Sequence, residues 1–146
     1  MNHSLTYYPL RKSLIKQLIF IEENMVELLD LYVSSTFVHD RDFNFFKRYI
    51  AEVEEFLSGS ENSTYPSLSK VFIGSQVALL YKEDNYVEHF TICFPEKSDP
   101  ARGYISFLSP VGRQLLLHSL NEEIVLLTPG GETRVVIKKI EFKDYR

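Results

Sequence analysis

Apolar residues in the N-terminal third recur at the spacing of a helix seam. Leu14, Leu18, Ile21, Met25, Leu28 and Tyr32 are separated by alternating steps of four and three, and Ile15, Ile19, Val26 and Leu29 widen the stripe. This predicts one helix over about residues 10–33, preceded by a polar, frayed Met1–Tyr8 with Pro9 at the start. Val33-Ser34-Ser35-Thr36 interrupts the pattern with β-branched and capping residues. Asp40 or Asp42 offers a fresh N-cap. A second seam then begins at Phe43 and continues through Phe46, Ile50, Val53 and Leu57, flanked by a row of Phe45, Tyr49 and Phe56. Two seams joined by a short polar loop predict an antiparallel helical hairpin, a short coiled coil whose second arm is about 25 Å long.

Beyond Leu57 the period changes. Ser58 to Thr64 is small and polar with a glycine and no periodicity, and Pro66 closes it. A linker is therefore expected over 58–70, between a helical hairpin at 1–57 and a second domain at 71–146. Strands are expected over Gln76–Tyr81 and Val87–Phe94, with Glu83-Asp84-Asn85 as the turn between them. On the second strand, Phe90, Ile92 and Phe94 share one face and His89, Thr91 and Cys93 the other. Pro95 to Arg102 is a polar loop. Tyr104–Leu108 is a short apolar strand, and Ser109 is a natural N-cap with Pro110 at the first helical position. Val111–Leu117 make about two helical turns. Ile124–Leu127 and Thr133–Ile140 form a hairpin around Pro129-Gly130, with Gly130 in the positive φ of a type II turn. Glu141 to Arg146 is a charged tail. Strand, short helix and hairpin in that order predict an α+β plan, a small twisted antiparallel sheet with one short helix on a face.

Composition narrows the function. With 146 residues, 45% of them hydrophobic, the chain can bury a core or two small ones. A net charge of −4 argues against broad electrostatic binding to nucleic acid, and no direct sequence-specific nucleic-acid binding is expected. Cys93 is the single cysteine, so an internal disulfide is impossible, which fits a reducing cytosol. No signal peptide and no apolar run long enough to span a bilayer is found. A cytoplasmic location without a membrane partner is the expectation.

The run Ile105-Ser106-Phe107-Leu108-Ser109-Pro110-Val111-Gly112, then Leu115-Leu116, then Pro129-Gly130-Gly131, resembles the C-terminal domain of the bacterial Gre transcript-cleavage factors. It is more similar still to their smaller relative, the regulator of nucleoside diphosphate kinase. The resemblance covers roughly Val71 to Phe142. It implies an FKBP-like C-terminal domain behind an N-terminal helical hairpin, and RNA polymerase as the partner, bound at the rim of its secondary channel. In that family the loop carrying Ser-Pro contacts the rim, which implies Leu108, Ser109, Pro110 and Gly112 as polymerase-binding residues. The bland reading of Ser109 is a plain helix cap. Leu108 stands where Gre proteins often carry Asn or Asp. Leu108 and Phe94-Pro95-Glu96-Lys97 resemble the kinase-regulator branch more.

The hairpin tip, His39-Asp40-Arg41-Asp42, is the second candidate. In Gre factors an Asp-x-x-Glu pair at the tip helps to hold the second catalytic magnesium, a hard cation that accepts carboxylate oxygens. Here Asp40 has Phe43 three positions on, so that pair is missing, and capping explains the aspartates. The second arm is also shorter than the family's by three or four turns, about 15–20 Å of reach. No catalytic residue is therefore assigned, with Asp40 and Asp42 as the alternative. No cofactor and no metal site is expected: His39, His89 and His118 lack ligand spacing, and His89 with Cys93 supplies two ligands, too few for structural zinc. Pro129-Gly130-Gly131 lies between strands, so it reads as a turn and not a phosphate cradle. An FKBP-like fold does not by itself imply prolyl isomerase activity.

The leading expectation is a regulator of transcription elongation that binds RNA polymerase without stimulating RNA cleavage, and is not itself an enzyme. The first alternative is a Gre-type cleavage cofactor using the tip aspartates with Mg²⁺. The second is an interaction module for another protein, such as nucleoside diphosphate kinase, with Phe45, Tyr49 and Phe56 as an exposed contact row. The oligomeric state is left open.

Overall fold

A computed structural model of the chain describes residues 3–35, 44–59 and 68–143. The chain divides into two units, one reaching Pro66 and the other spanning Ser67–Asp144. The fold is mixed α+β.

The first unit contains α1 (His3–Glu23), α2 (Met25–Ser35) and α3 (Phe45–Gly59). Helical structure therefore begins at His3 and not near residue 10. Asn24 stands between the two helices, yet Asn24 N–H donates to the Phe20 carbonyl (3.0 Å) and Leu28 N–H to the Asn24 carbonyl (2.9 Å), so the helical bonding carries through. The seam keeps one phase as a result: Leu14, Leu18, Ile21, Leu28 and Tyr32 are all buried. The widening row is not buried. Ile15, Ile19 and Val26 are exposed, because one partner helix covers only one stripe of a helix surface.

That partner is α3, which runs antiparallel to α1 and α2. Arg11 Nη1 donates to the Leu57 carbonyl (2.7 Å), placing a cation on the open carbonyl end of α3. Tyr49 Oη donates to Gln17 Oε1, a buried polar pair. Tyr32 stacks on Phe45 at 5.1 Å and meets Phe46 edge-on at 5.8 Å. The interaction-module alternative needed the Phe45, Tyr49 and Phe56 row at the surface; Phe45 and Tyr49 are instead buried, and Phe56 is half-buried. Bulky rings on the flank of a short helix reach round to the facing helix and remove large apolar areas from water.

The second unit holds β1 (Ser75–Tyr81), β2 (Tyr86–Cys93), β3 (Tyr104–Ser106), α4 (Pro110–Leu115), β4 (Glu123–Thr128) and β5 (Gly131–Phe142). The sheet order is β3-β2-β1-β5-β4. Neighbours are antiparallel except β2 and β3, which pair in parallel from Thr91↔Tyr104 to Cys93↔Ser106. The expected all-antiparallel sheet is corrected there. The connection between these strands is no tight hairpin, because two 3-10 turns at Pro95–Lys97 and Pro100–Arg102 reverse the chain twice and return it in its original direction.

A bulge decides how β5 faces the core. Ala78 pairs with Lys139 and Leu79 with Ile137, leaving Lys138 as the extra residue. Val135 and Ile137 before the bulge, and Ile140 and Phe142 after it, all lie buried, while both lysines stay in water. Val77, Leu79, Ile92, Phe107, Leu115 and Leu126 complete this core. Val71, Phe72 and Ile73 join it from a segment with no strand signal. That segment is tied by Val71 N–H to the His118 carbonyl (3.0 Å) and Leu117 N–H to the Val71 carbonyl (2.8 Å). Together with α3 continuing to Gly59 and Leu68 N–H donating to Ile140 O (3.0 Å), this shortens the expected 58–70 linker at both ends. At the β4–β5 turn it is Gly131 that takes a positive φ (121°), and not Gly130 as expected for a type II turn.

The turn leaving α4 is closed by Glu122. Its carboxylate accepts from Ser119 N–H (2.8 Å) and pairs with His118 Nδ1 (2.9 Å). The backbone donor first, and His118 second, hold its carboxyl below the ordinary glutamate value. At the open end of β1 the reverse applies: burial first, and then the hydrogen bond to Glu88, raise the Tyr81 phenol.

Two outcomes follow. Phe107 is fully buried and edge-on to Phe94 at 5.5 Å. Phe107→Ala should lower the unfolding free energy by about 3–5 kcal/mol, read by urea denaturation. A carboxylate with a depressed folded pKa contributes stability above its unfolded value, near 4.3, and loses it as pH falls through the folded value. Glu122→Gln should therefore cost up to about 1 kcal/mol at pH 7, small because the pair is well solvated. The difference from the parent should shrink as pH falls below about 4.3, the unfolded value, and vanish once the folded Glu122 carboxylate is protonated too.

Candidate functional site

The turn from Ser106 to Arg113 is the most tightly specified surface feature of the second unit. β3 ends at Ser106 and not at Leu108 as expected, because Ser106 turns the chain with both its oxygens. Its Oγ accepts from Leu108 N–H (3.0 Å), and its carbonyl accepts from Ser109 N–H (2.9 Å) and Ser109 Oγ–H (2.7 Å). Ser109 Oγ in turn accepts from Gly112 N–H (3.1 Å), which caps α4, and Pro110 occupies the first helical turn where no amide donor is needed. Phe107 N–H donates to the Cys93 carbonyl (2.8 Å), so the loop is anchored to the end of β2.

Gly112 is where the helix meets the strand. A Cβ there would lie 2.3 Å from the Ser106 carbonyl oxygen and 3.2 Å from the Phe107 Cα. No side chain fits without moving backbone. Gly112 is buried, Pro110 is exposed, and Leu108 and Ser109 are half-buried. The four residues singled out by the sequence therefore come together in one turn in two roles. Gly112 lets the turn close, and Leu108, Ser109 and Pro110 present its outer face. α4 stops at Leu115 and not at Leu117, where φ is 68°.

Two side chains with no sequence signal complete the turn. Arg113 Nη1 donates to the Leu108 carbonyl (2.7 Å), holding the exposed side of the loop. The Gln114 amide bonds both ways to the Leu127 backbone, donating to its carbonyl (2.9 Å) and accepting from its N–H (2.8 Å). It acts as one residue of a missing neighbour strand and blunts the β4 edge. Neither spacing nor residue type marks these two, since each contact is set by where α4 lies.

The tip residues His39, Asp40, Arg41 and Asp42 lie outside the described residues, and with them the capping and magnesium readings. His89 is exposed on β2, whereas Cys93 is buried, with Sγ 3.5 Å from the Ile105 carbonyl. Among the described residues, no group of three or more His, Cys, Asp or Glu is placed to hold a metal ion. Among them, too, no helix is long and apolar enough to cross a membrane.

Comparison with known proteins places this unit. Residues 66–142 match the family model described as transcription elongation factor, GreA/GreB, C-terminal. The chain is 33% identical over 95 residues to transcription elongation factor GreA of Novosphingobium aromaticivorans, covering 64% of this chain and 60% of that one. It is 40% identical over 70 residues to the GreA of Shouchella clausii, covering 48% and 44%. A solved GreA/GreB elongation factor from Nitrosomonas europaea superposes with a TM-score of 0.47 at 27% identity, covering 64% of this chain and 79% of that chain. The chain thus spans roughly half the length of the curated relatives it matches. As the matched residues make up more than half of the chain and include the whole sheet and the Ser106–Arg113 turn, this protein belongs to the GreA/GreB transcription elongation factor C-terminal family.

Proposed function

We propose that this chain is a cytoplasmic bacterial regulator of transcription elongation that binds RNA polymerase at its secondary channel. The family match over residues 66–142 carries the reading. The second unit, FKBP-like in plan, docks on the channel rim through Leu108, Ser109 and Pro110. The first unit acts as a short helical hairpin entering the channel. It contributes no Asp-x-x-Glu pair, so the protein occupies the channel without stimulating cleavage and is not itself an enzyme. The apolar Leu108 ahead of Ser109-Pro110 supports assignment to the branch of the nucleoside diphosphate kinase regulator. Burial of Phe45 and Tyr49 inside the first unit weighs against that row as a contact face for another protein.

A rigid, capped turn suits docking, because it pays little ordering entropy on binding. Ser109 and Gly112 supply the rigidity, and Leu108 and Pro110 supply contact area. A second reading, a cleavage cofactor using Asp40 and Asp42 with Mg²⁺, draws on relatives named transcription elongation factor GreA.

Purified chain mixed with core RNA polymerase should co-elute with it and compete with a transcript-cleavage factor. Absence of both binding and competition would sink the proposal. On backtracked complexes the chain alone should release no short 3′ RNA. Release that disappears in Asp40→Ala would establish the second reading instead. Pro110→Glu, at an exposed position of the turn, should weaken polymerase binding about tenfold or more, as loss of an interface anchor does, with little change in melting temperature. Gly112→Ala should instead destabilise the unit by roughly 1–3 kcal/mol, because backbone must shift to admit the methyl group.

A further inference from the structure

The first unit carries an apolar stripe that α3 does not cover. Ile15 is 39% exposed, Ile19 49% and Val26 82%. At 3.6 residues per turn, Ile15, Ile19, Glu22 and Val26 fall within about 60° of one another, a second seam with steps of four, three and four. Its centre lies about 115° round the helix from the buried seam of Leu14, Leu18, Ile21 and Leu28, so it adjoins that seam and faces away from α3. Single exposed apolar residues need no explanation, but an aligned set on a helix is the pattern of a pairing face.

Charge along this face is segregated. Lys12 and Lys16 flank the stripe on its N-terminal half, and Glu23, Glu27 and Asp30 on its C-terminal half; all five are exposed. Lys12 and Lys16 are four apart, as are Glu23 and Glu27. Like charges at that spacing repel and destabilise an isolated helix by a few tenths of a kcal/mol each. The order is self-complementary only when reversed. A second copy laid antiparallel sets each lysine half against the other copy's acidic half, whereas a parallel copy sets lysine against lysine.

We propose that this face of α1 and α2 pairs antiparallel with the same face of a second copy of the chain. In the register that interdigitates the seams, Ile15 lies opposite the second copy's Val26, and Ile19 opposite its Glu22. Lys16 and Glu23 then face each other across the flank, twice by symmetry. Glu22 interrupts the apolar seam, and one pair of short helices buries little area. The association is therefore transient and concentration-dependent, in the class of interfaces below about 1,200 Å². The rim contact was assigned to the second unit, whereas channel entry uses this first unit, so pairing and channel entry compete, and a mass measurement on the chain alone reads pairing without polymerase.

Sedimentation velocity on the full chain tests this. The weight-average mass should rise above the monomer's 17.1 kDa as concentration increases through the hundreds of micromolar, and rise less in high salt. Ile19→Glu, at an exposed position and set against the second copy's Glu22, should hold the protein at monomer mass with an unchanged circular dichroism spectrum. Lys16→Glu and Glu23→Lys should each weaken association several-fold, and the double variant should restore it, since the swap preserves an antiparallel match. A mass that stays at 17.1 kDa at every concentration overturns the proposal. So does a dimer indifferent to Ile19→Glu. Failure of the double variant to restore pairing overturns the antiparallel arrangement.

Discussion

The second unit depends on one close approach. The first turn of α4 lies against the end of β3, with the Gly112 Cα side on the Ser106 carbonyl. This contact lets a six-residue helix, too short to be stable alone, sit directly on the sheet. Leu115 then reaches the core, and the Gln114 amide reaches β4. Ser106 is the hub. Its carbonyl and hydroxyl take three hydrogen bonds, so the polar groups left by a shortened strand are satisfied where they turn inward. The inner surface of the turn is fixed by packing, and Pro110 on its outer surface faces solvent.

Elsewhere in the sheet, a single extra residue does comparable work. Without the bulge at Lys138, strict alternation would carry Ile140 and Phe142 to the outer face and a lysine to the core, at the cost of burying an unpaired charge. With it, the twelve residues of β5 keep one apolar face along their whole length. That face holds the N-terminal lead of the unit, Val71 to Ile73, between itself and the residues that follow α4. The lead closes the core and fixes the path out of α4.

The two units divide the labour in physical terms. The second has a sheet, a capped turn and a family match, and so carries the function that can be assigned. The first has one well-filled seam and, beside it, an uncovered, charge-segregated stripe. Its aromatic cluster of Tyr32, Phe45, Phe46 and Tyr49 binds the arms together at one end.

Much of this was legible in the residues alone. Heptad steps placed α1, α2 and α3, and Ser109-Pro110 placed the start of α4, because helix periodicity and capping are local properties of a few neighbouring residues. Alternation found β1, β2, β4 and β5 to within a few positions. The order of these signals was enough to mark the α+β class and the family resemblance. Other features belong to the tertiary structure. Which of two adjacent apolar stripes on α1 is buried depends on the single helix available to cover it. The parallel pairing of β2 with β3 depends on how a proline-rich loop turns back. The bulge in β5, the burial of Val71–Ile73 and the bridging roles of Arg113 and Gln114 arise from contacts between residues distant in the chain. No local pattern encodes such contacts, since each residue's preference there is outweighed by the apolar area and hydrogen bonds its packed neighbours supply.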